Sequence, residues 1–109
     1  MNAKKAPFDR EAEERSSIPG ERIHSDVKEL PERSIEGHIY AVNFIDDATR
    51  RCVVYPIKKK SEVIDKFEHF LLTECAARGK AVRYLRSDHG GEYDSDEMDK
   101  FCAARGIWK

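Results

Sequence analysis

From Ile39 to Ile45 nearly every residue is apolar, and Cys52 to Ile57 repeats that character after a polar break, Asp46-Asp47-Ala48-Thr49-Arg50 followed by Arg51. Apolar runs this short, rich in β-branched and aromatic residues, read as strands, the first of them buried on both faces. Aspartate side chains bond readily to their own backbone in turns, so the break joins the two runs as a hairpin. Pro56 has no amide hydrogen to give to a ladder, which places the second strand at a sheet edge. An isolated hairpin is marginal in water, so other segments must cover this one.

Those segments are visible on either side. Ile23, Ser25 and Val27 alternate with His24 and Asp26, as in a short strand beginning near Glu21. Leu30 to Gly37 is turn-like. After the hairpin, Val63, Ile64, Phe67, Phe70 and Leu71 recur at helical spacing between Ser61, an N-cap residue, and Gly79, a stop after Arg78. This predicts one amphipathic helix of about five turns. Ala81 to Leu85 returns to strand character and runs into Arg86-Ser87-Asp88, and His89-Gly90-Gly91 forms a loop. A second helix is expected from about Ser95 to Arg105, ending at Gly106, and Ile107-Trp108-Lys109 begins another strand. Three strands, a helix, a strand and a helix define an α/β fold with a mixed sheet. The helical crossover lets the first and fourth strands lie parallel and adjacent.

At 109 residues the chain holds one small domain. Residues 1–20 are polar and charge-mixed and close on Pro19-Gly20, so they are expected to be a flexible arm ahead of a domain over 21–109. A net charge of −1 leaves any nucleic-acid contact to local patches, of which Lys58-Lys59-Lys60, with Arg50-Arg51 nearby in sequence, is the strongest. The plainer explanation of those lysines is a solvated turn. Cys52, Cys75 and Cys102 form no CxxC pair and have no zinc-type spacing with any histidine, which points to free thiols in a reducing compartment. No signal-peptide h-region and no bilayer-length apolar run is present, so an intracellular, soluble chain is expected.

Two carboxylates stand out by context. Asp26 lies in the first strand and Asp88 ends the fourth. If those strands are parallel neighbours, the two acids converge at one end of the sheet. Mg²⁺ favours such a site, binding one or two carboxylates together with substrate phosphate. From spacing alone, two ordinary strand-end or turn aspartates are the better explanation, because paired aspartates are common and the spacing is loose.

The blocks around them add to this. His24-Ser25-Asp26-Val27, Phe44-Ile45-Asp46-Asp47-Ala48-Thr49-Arg50, Lys60-Ser61-Glu62-Val63, Leu85-Arg86-Ser87-Asp88-His89-Gly90-Gly91-Glu92-Tyr93, Phe101-Cys102 and Gly106-Ile107 stand in this order. In that order the chain resembles the catalytic core of copia-type retrotransposon integrases, over roughly residues 21–108. The resemblance implies an RNase H-like fold and a polynucleotidyl transferase or endonuclease activity. Such an enzyme trims the ends of element DNA and joins them to target DNA, working in the nucleus as a homodimer or larger assembly. It also implies Asp26 and Asp88 as catalytic ligands of Mg²⁺ or Mn²⁺. Read from the residues alone, the basic run Lys58, Lys59 and Lys60, and His89 beside two glycines, are the candidate nucleic-acid contacts.

The departures are specific. The family pattern carries a third acid, a glutamate about 35 residues beyond the second Asp; here 21 residues follow Asp88. An RNase H-like core incomplete at its C-terminus, with little strand transfer of its own, is therefore expected. The alternatives are a non-enzymatic nucleic-acid-binding or oligomerising remnant, or an unstable fragment. Histidine stands at position 89 where the family has asparagine. Glu92, Asp46 and Asp47 are the other acids near enough to substitute, and each has a local explanation in a loop or turn.

Overall fold

The apolar run from Ile39 and its partner do pair as a hairpin in the computed structural model, which describes residues 16–32, 35–87 and 93–109. Strand β1 spans Arg22–Glu29, β2 Tyr40–Asp46 and β3 Cys52–Ile57. β1 and β2 are antiparallel, with Ser25 opposite Phe44 and Asp26 opposite Asn43. β2 and β3 are antiparallel, with Phe44 opposite Val53. A helical run then crosses to β4, Tyr84–Ser87, which lies parallel to β1 with Ser25 opposite Ser87. The sheet order is β3-β2-β1-β4, so the strand carrying Pro56 is an edge strand, as its missing amide hydrogen requires.

Between β3 and β4 the backbone is helical from Lys60 to Arg78, but not as one regular helix. A 3₁₀ turn at Lys60–Glu62 leads into α1, Val63–Phe70; a wide π turn follows at Leu71–Cys75 and a 3₁₀ turn at Ala76–Arg78. Gly79 ends it in the left-handed region at φ 73°, the conformation for which glycine is the default. Ser61 does not cap this run. Glu62 does so from inside, its carboxylate accepting the N–H groups of Lys58 and Lys59 at 3.0 and 2.9 Å. Helix α2 covers Asp96–Ala104 and is capped as expected, the Ser95 hydroxyl accepting from Met98 N–H.

One face of the sheet carries the core. Ile23, Val42, Phe44 and Ile57 are fully buried beneath Val63, Phe67 and Phe70 of α1, with Met98 and Cys102 of α2 in the same cluster. Phe44 stacks on Phe67 and Phe70 with ring centroids 5.4 and 4.9 Å away. Each such side chain contributes about 1.5–3 kcal/mol by leaving water. The strand expected to begin at Ile107–Lys109 appears as a single parallel bridge: Trp108 N–H donates to the Arg83 carbonyl and Leu85 N–H to the Trp108 carbonyl, both at 2.8 Å.

Residues of the alternate register point the other way, where no described helix packs. On this open face Lys28, Cys52, Val54, Pro56 and Arg86 are exposed, and His24, Asp26 and Asn43 half-buried. Of the expected arm, residues 1–15 lie outside the described part of the chain. Ser16 and Gly20 are bonded to the hairpin turn, as described below.

Candidate metal and nucleic-acid site

Asp26 stands on the open face in the second half of β1, half-buried, and its carboxylate makes no hydrogen bond or ion pair with any described residue. The strand places it there because Ile23, Ser25 and Val27 take the core side, and alternation leaves Arg22, His24, Asp26 and Lys28 on the other. The first and fourth strands are parallel neighbours as the sequence suggested. Their paired residues Ser25 and Ser87 immediately precede Asp26 and Asp88 in the chain. Asp88, His89 and Glu92 themselves lie outside the described residues. The description resumes at Tyr93, whose buried hydroxyl is 2.6 Å from Ser25 Oγ. Both flanks of segment 88–92 therefore meet β1 at the residue before Asp26.

A second oxygen belongs to this neighbourhood. Asn43 is the cross-strand partner of Asp26, and its Oδ1 is buried with no hydrogen-bond partner among the described residues. Directly opposed residues of an antiparallel pair hold their Cβ atoms about 4.5–5.5 Å apart. A carboxylate and an orphaned carbonyl oxygen side by side are acceptors without donors, a set that fits a hard divalent cation. Among the described residues, no three His, Cys, Asp or Glu side chains gather into a metal-holding group. Asn43 was hidden in the sequence because it sits inside an otherwise apolar run; that lone polar side chain was the available signal.

Asp46 and Asp47 are not part of this site. They sit at the opposite end of β1, and both are buried. Asp46 accepts from Gly20 N–H at 2.9 Å and Ala48 N–H at 3.0 Å, with the Lys80 ammonium 3.6 Å away. Asp47 accepts from Ser16 N–H at 2.6 Å, from Arg22 Nη1 at 3.3 Å, and bonds His24 Nε2 at 2.8 Å. Burial pushes the Asp46 carboxyl up, but the Gly20 and Ala48 amides, the Thr49 hydroxyl and the Lys80 charge outweigh it and hold it below the usual carboxylate value. For Asp47 burial is likewise outweighed, by the Ser16 amide, by the hydrogen bond and charge of His24, and by the Arg22 charge. These acids fasten the Ser16–Gly20 segment to the sheet.

Lys58, Lys59 and Lys60 are exposed at the end of β3, the Lys60 ammonium lying 5.4 Å from the Tyr40 ring centroid. Arg50 and Arg51 do not join them. They lie at the other end of the strand, roughly 20 Å away for a six-residue β3, and Arg51 pairs with Glu74 at 2.5 Å. Burial pushes the Cys75 and Cys102 thiols up to about 11, which makes them packing residues rather than nucleophiles or metal ligands.

A mixed sheet of this order, with a helical crossover from β3 to a β4 that lies parallel to β1, is that of an RNase H-like fold. The Integrase core domain family matches residues 16–108, and the chain belongs to that family. Among its relatives, the Retrovirus-related Pol polyprotein from transposon TNT 1-94 of Nicotiana tabacum is 41% identical over 86 residues, 78% of this chain and 6% of the polyprotein. That from transposon RE2 of Arabidopsis thaliana is 41% identical over 78 residues, covering 72% of this chain and 5% of the polyprotein. The chain thus spans about a twentieth of the polyproteins it matches. The magnesium complex of the HTLV-2 integrase catalytic core domain, in its dimeric form, has the same fold at a TM-score of 0.67 and 21% identity, covering 83% of this chain and 59% of that one. A simian T-cell lymphotropic virus intasome in complex with the PP2A regulatory subunit B56 gamma aligns at 0.72 and 19% identity, covering 96% of this chain and 37% of that one. Among the described residues no helix is long and apolar enough to cross a membrane.

Proposed function

We propose that this chain works in DNA integration as part of a metal-dependent polynucleotidyl transferase, with Asp26 and Asp88 holding Mg²⁺ or Mn²⁺. The observation that carries this reading is the Asp26 carboxylate. It has no donor among the described residues, an orphaned Asn43 oxygen opposite it, and a parallel neighbour strand that leads directly into Asp88. A magnesium-bound relative of the same fold supports the choice of ion. When bound, the divalent ion would supply charge stabilisation at a phosphodiester undergoing in-line displacement.

The chain's own residues do the rest. Asp26 provides a fixed anionic ligand on a rigid strand rather than on a loop. Ser25 and Tyr93 lock the backbone that carries it, through a buried hydrogen bond. Lys58, Lys59 and Lys60 offer phosphate contacts at the same end of the sheet, and His89, next to Asp88 in the chain, a further donor. DNA ends and target DNA are the substrates, the nucleus the place of action, and a homodimer or larger assembly the working form; the dimeric, trimeric and intasome forms of the fold's relatives support that assembly.

The test is Mn²⁺ binding followed by its paramagnetic effect on amide resonances. Wild type is expected to broaden β1 and β4 selectively, and Asp26→Asn to weaken binding at least about tenfold while melting at the same temperature without metal. Equal Mn²⁺ affinity in wild type and Asp26→Asn would falsify the assignment.

A further inference from the structure

Resting on that reading, we propose that Ser25 and Tyr93 are positioning residues of the metal site: their hydroxyl pair sets the spacing between the strand that carries Asp26 and the chain on either side of Asp88. The contact is direct. Ser25 Oγ lies 2.6 Å from Tyr93 Oη, and the two residues are buried, at 4% and 2% exposure. Ser25 takes the core side of β1, back to back with Asp26, so whatever holds Ser25 holds the backbone from which that carboxylate projects.

Two carboxylates from segments far apart in sequence share one ion only when their backbones are held to within about 0.5 Å. Among the described residues the β1–β4 ladder runs from Arg22 opposite Tyr84 to Ser25 opposite Ser87. Ladder pairing thus fixes the chain just before Asp88. Tyr93 fixes it again just beyond, and the fixed point is the same residue, Ser25. The chain from Ser87 to Tyr93 can span roughly 20 Å when extended, so pairing at Ser87 alone leaves Tyr93 wide latitude. The tyrosine's main chain is held as well: its carbonyl accepts from the Lys109 ammonium, which pairs with Asp99 of α2 at 2.5 Å. Through Tyr93, then, β1 is tied to α2.

Packing does not require these hydroxyls. The Tyr93 ring lies in the apolar core cluster, and an apolar pair of similar shape would fill the same space at little cost. What the bond adds is a fixed distance between two backbones, because a buried and satisfied polar contact specifies one arrangement of its partners. Groups that support metal ligands in this way are worth about ten- to a hundredfold in metal affinity. The lower end applies here, since the pair acts on the backbone around the ligands and not on their oxygens.

The test titrates Mn²⁺ into the chain and reads the free ion by electron paramagnetic resonance, at a temperature where every variant is folded. Tyr93→Phe keeps the ring and removes the oxygen, and is expected to weaken Mn²⁺ binding about tenfold. Ser25→Ala should do the same. The double variant, Ser25→Ala with Tyr93→Phe, separates positioning from stability: its melting temperature should recover in part, since no hydroxyl is stranded, while its affinity stays low. Ile57→Val, a core change of comparable cost to stability, should bind Mn²⁺ like wild type. Should Tyr93→Phe prove unfolded, Ser25→Ala and the double variant decide. The inference is wrong, and the integrase reading stands, on any of three results: the double variant regains wild-type affinity, Ile57→Val loses as much as Tyr93→Phe, or Tyr93→Phe binds like wild type while Asp26→Asn does not. If Asp26→Asn also binds like wild type, or wild type takes up no Mn²⁺, both fall together.

Discussion

β1 is flanked at its two ends by aspartates with opposite lives. At its start, Asp46 and Asp47 are buried and surrounded by donors: backbone amides of Ser16, Gly20 and Ala48, and the side chains of Arg22, His24 and Lys80. Further along, Asp26 is half-buried, with no donor among the described residues and an orphaned acceptor opposite. An acid with a full set of donors has spent its capacity on the fold. One left without them retains it for a cation. The comparison separates carboxylates committed to the fold from one that is not, by what surrounds each, since all are aspartates on or beside a strand.

Replacing Asp47 with alanine should have the largest effect. It strips Arg22, His24 and the Ser16 amide of their common acceptor and breaks a buried ion pair from one side, a loss of about 3–5 kcal/mol. For a domain this small that is most of its stability, and urea denaturation reads it directly. If Asp47→Ala costs no more than Asp26→Ala, the contrast between the two ends collapses.

Gly20→Ala should follow, at about 2–3 kcal/mol. Gly20 has φ +85°, and an added Cβ would lie 2.7 Å from the Lys80 Cβ, a stem atom that cannot swing aside. The same denaturation series checks it, and a loss under about 0.5 kcal/mol would show that this segment is not held as described.

Tyr93→Phe removes one partner of a buried hydrogen bond and strands the Ser25 hydroxyl, at about 1–2 kcal/mol. Adding Ser25→Ala should restore part of that loss, because an unmade bond between two absent groups costs little. A double-mutant cycle with no coupling would mean that the two hydroxyls are not bonded.

The pH dependence sharpens the contrast further. Asp46 and Asp47 titrate below the ordinary value of 3.8 in the folded chain, so the unfolded chain takes up protons first as pH falls. Their stabilisation is whole at neutral pH, begins to go as pH drops toward 3.8, and is gone below their folded values. Asp46→Asn with Asp47→Asn should flatten that acid limb in thermal melts taken between about pH 5 and 2. The smallest effect on stability is expected of Asp26→Asn, within about 0.5 kcal/mol, together with the loss of Mn²⁺ binding.

Much of the fold was legible because it rests on local signals. The apolar run at 39–45, the helical spacing of Val63, Phe67 and Phe70, Ser95 as a cap and Gly79 as a stop each report a property of a few neighbouring residues, and each holds. The π turn at Leu71–Cys75 had no such signal, since Leu71, Leu72 and Cys75 suit any helical geometry. Asp46 and Asp47 were legible as turn residues. Their partners Ser16 and Gly20 were not, because a long-range acceptor leaves no trace beside its donor in sequence. The candidate site divides the same way: Asp26 stands out through its motif, whereas Asn43 joins it only through strand register.

The pairing of Ser25 with Ser87 also bears on the order of folding. β2 and β3 close a hairpin over a five-residue turn, whereas β1 and β4 meet only after about sixty residues of chain have been drawn together. Contacts of such long sequence separation carry the larger loop-closure entropy and form late. The hairpin and α1 can thus nucleate before Asp26 has its parallel neighbour. The same pairing is the one a partial unfolding would release first, so amide exchange in β4 should outpace that in β2, and cation binding should slow it.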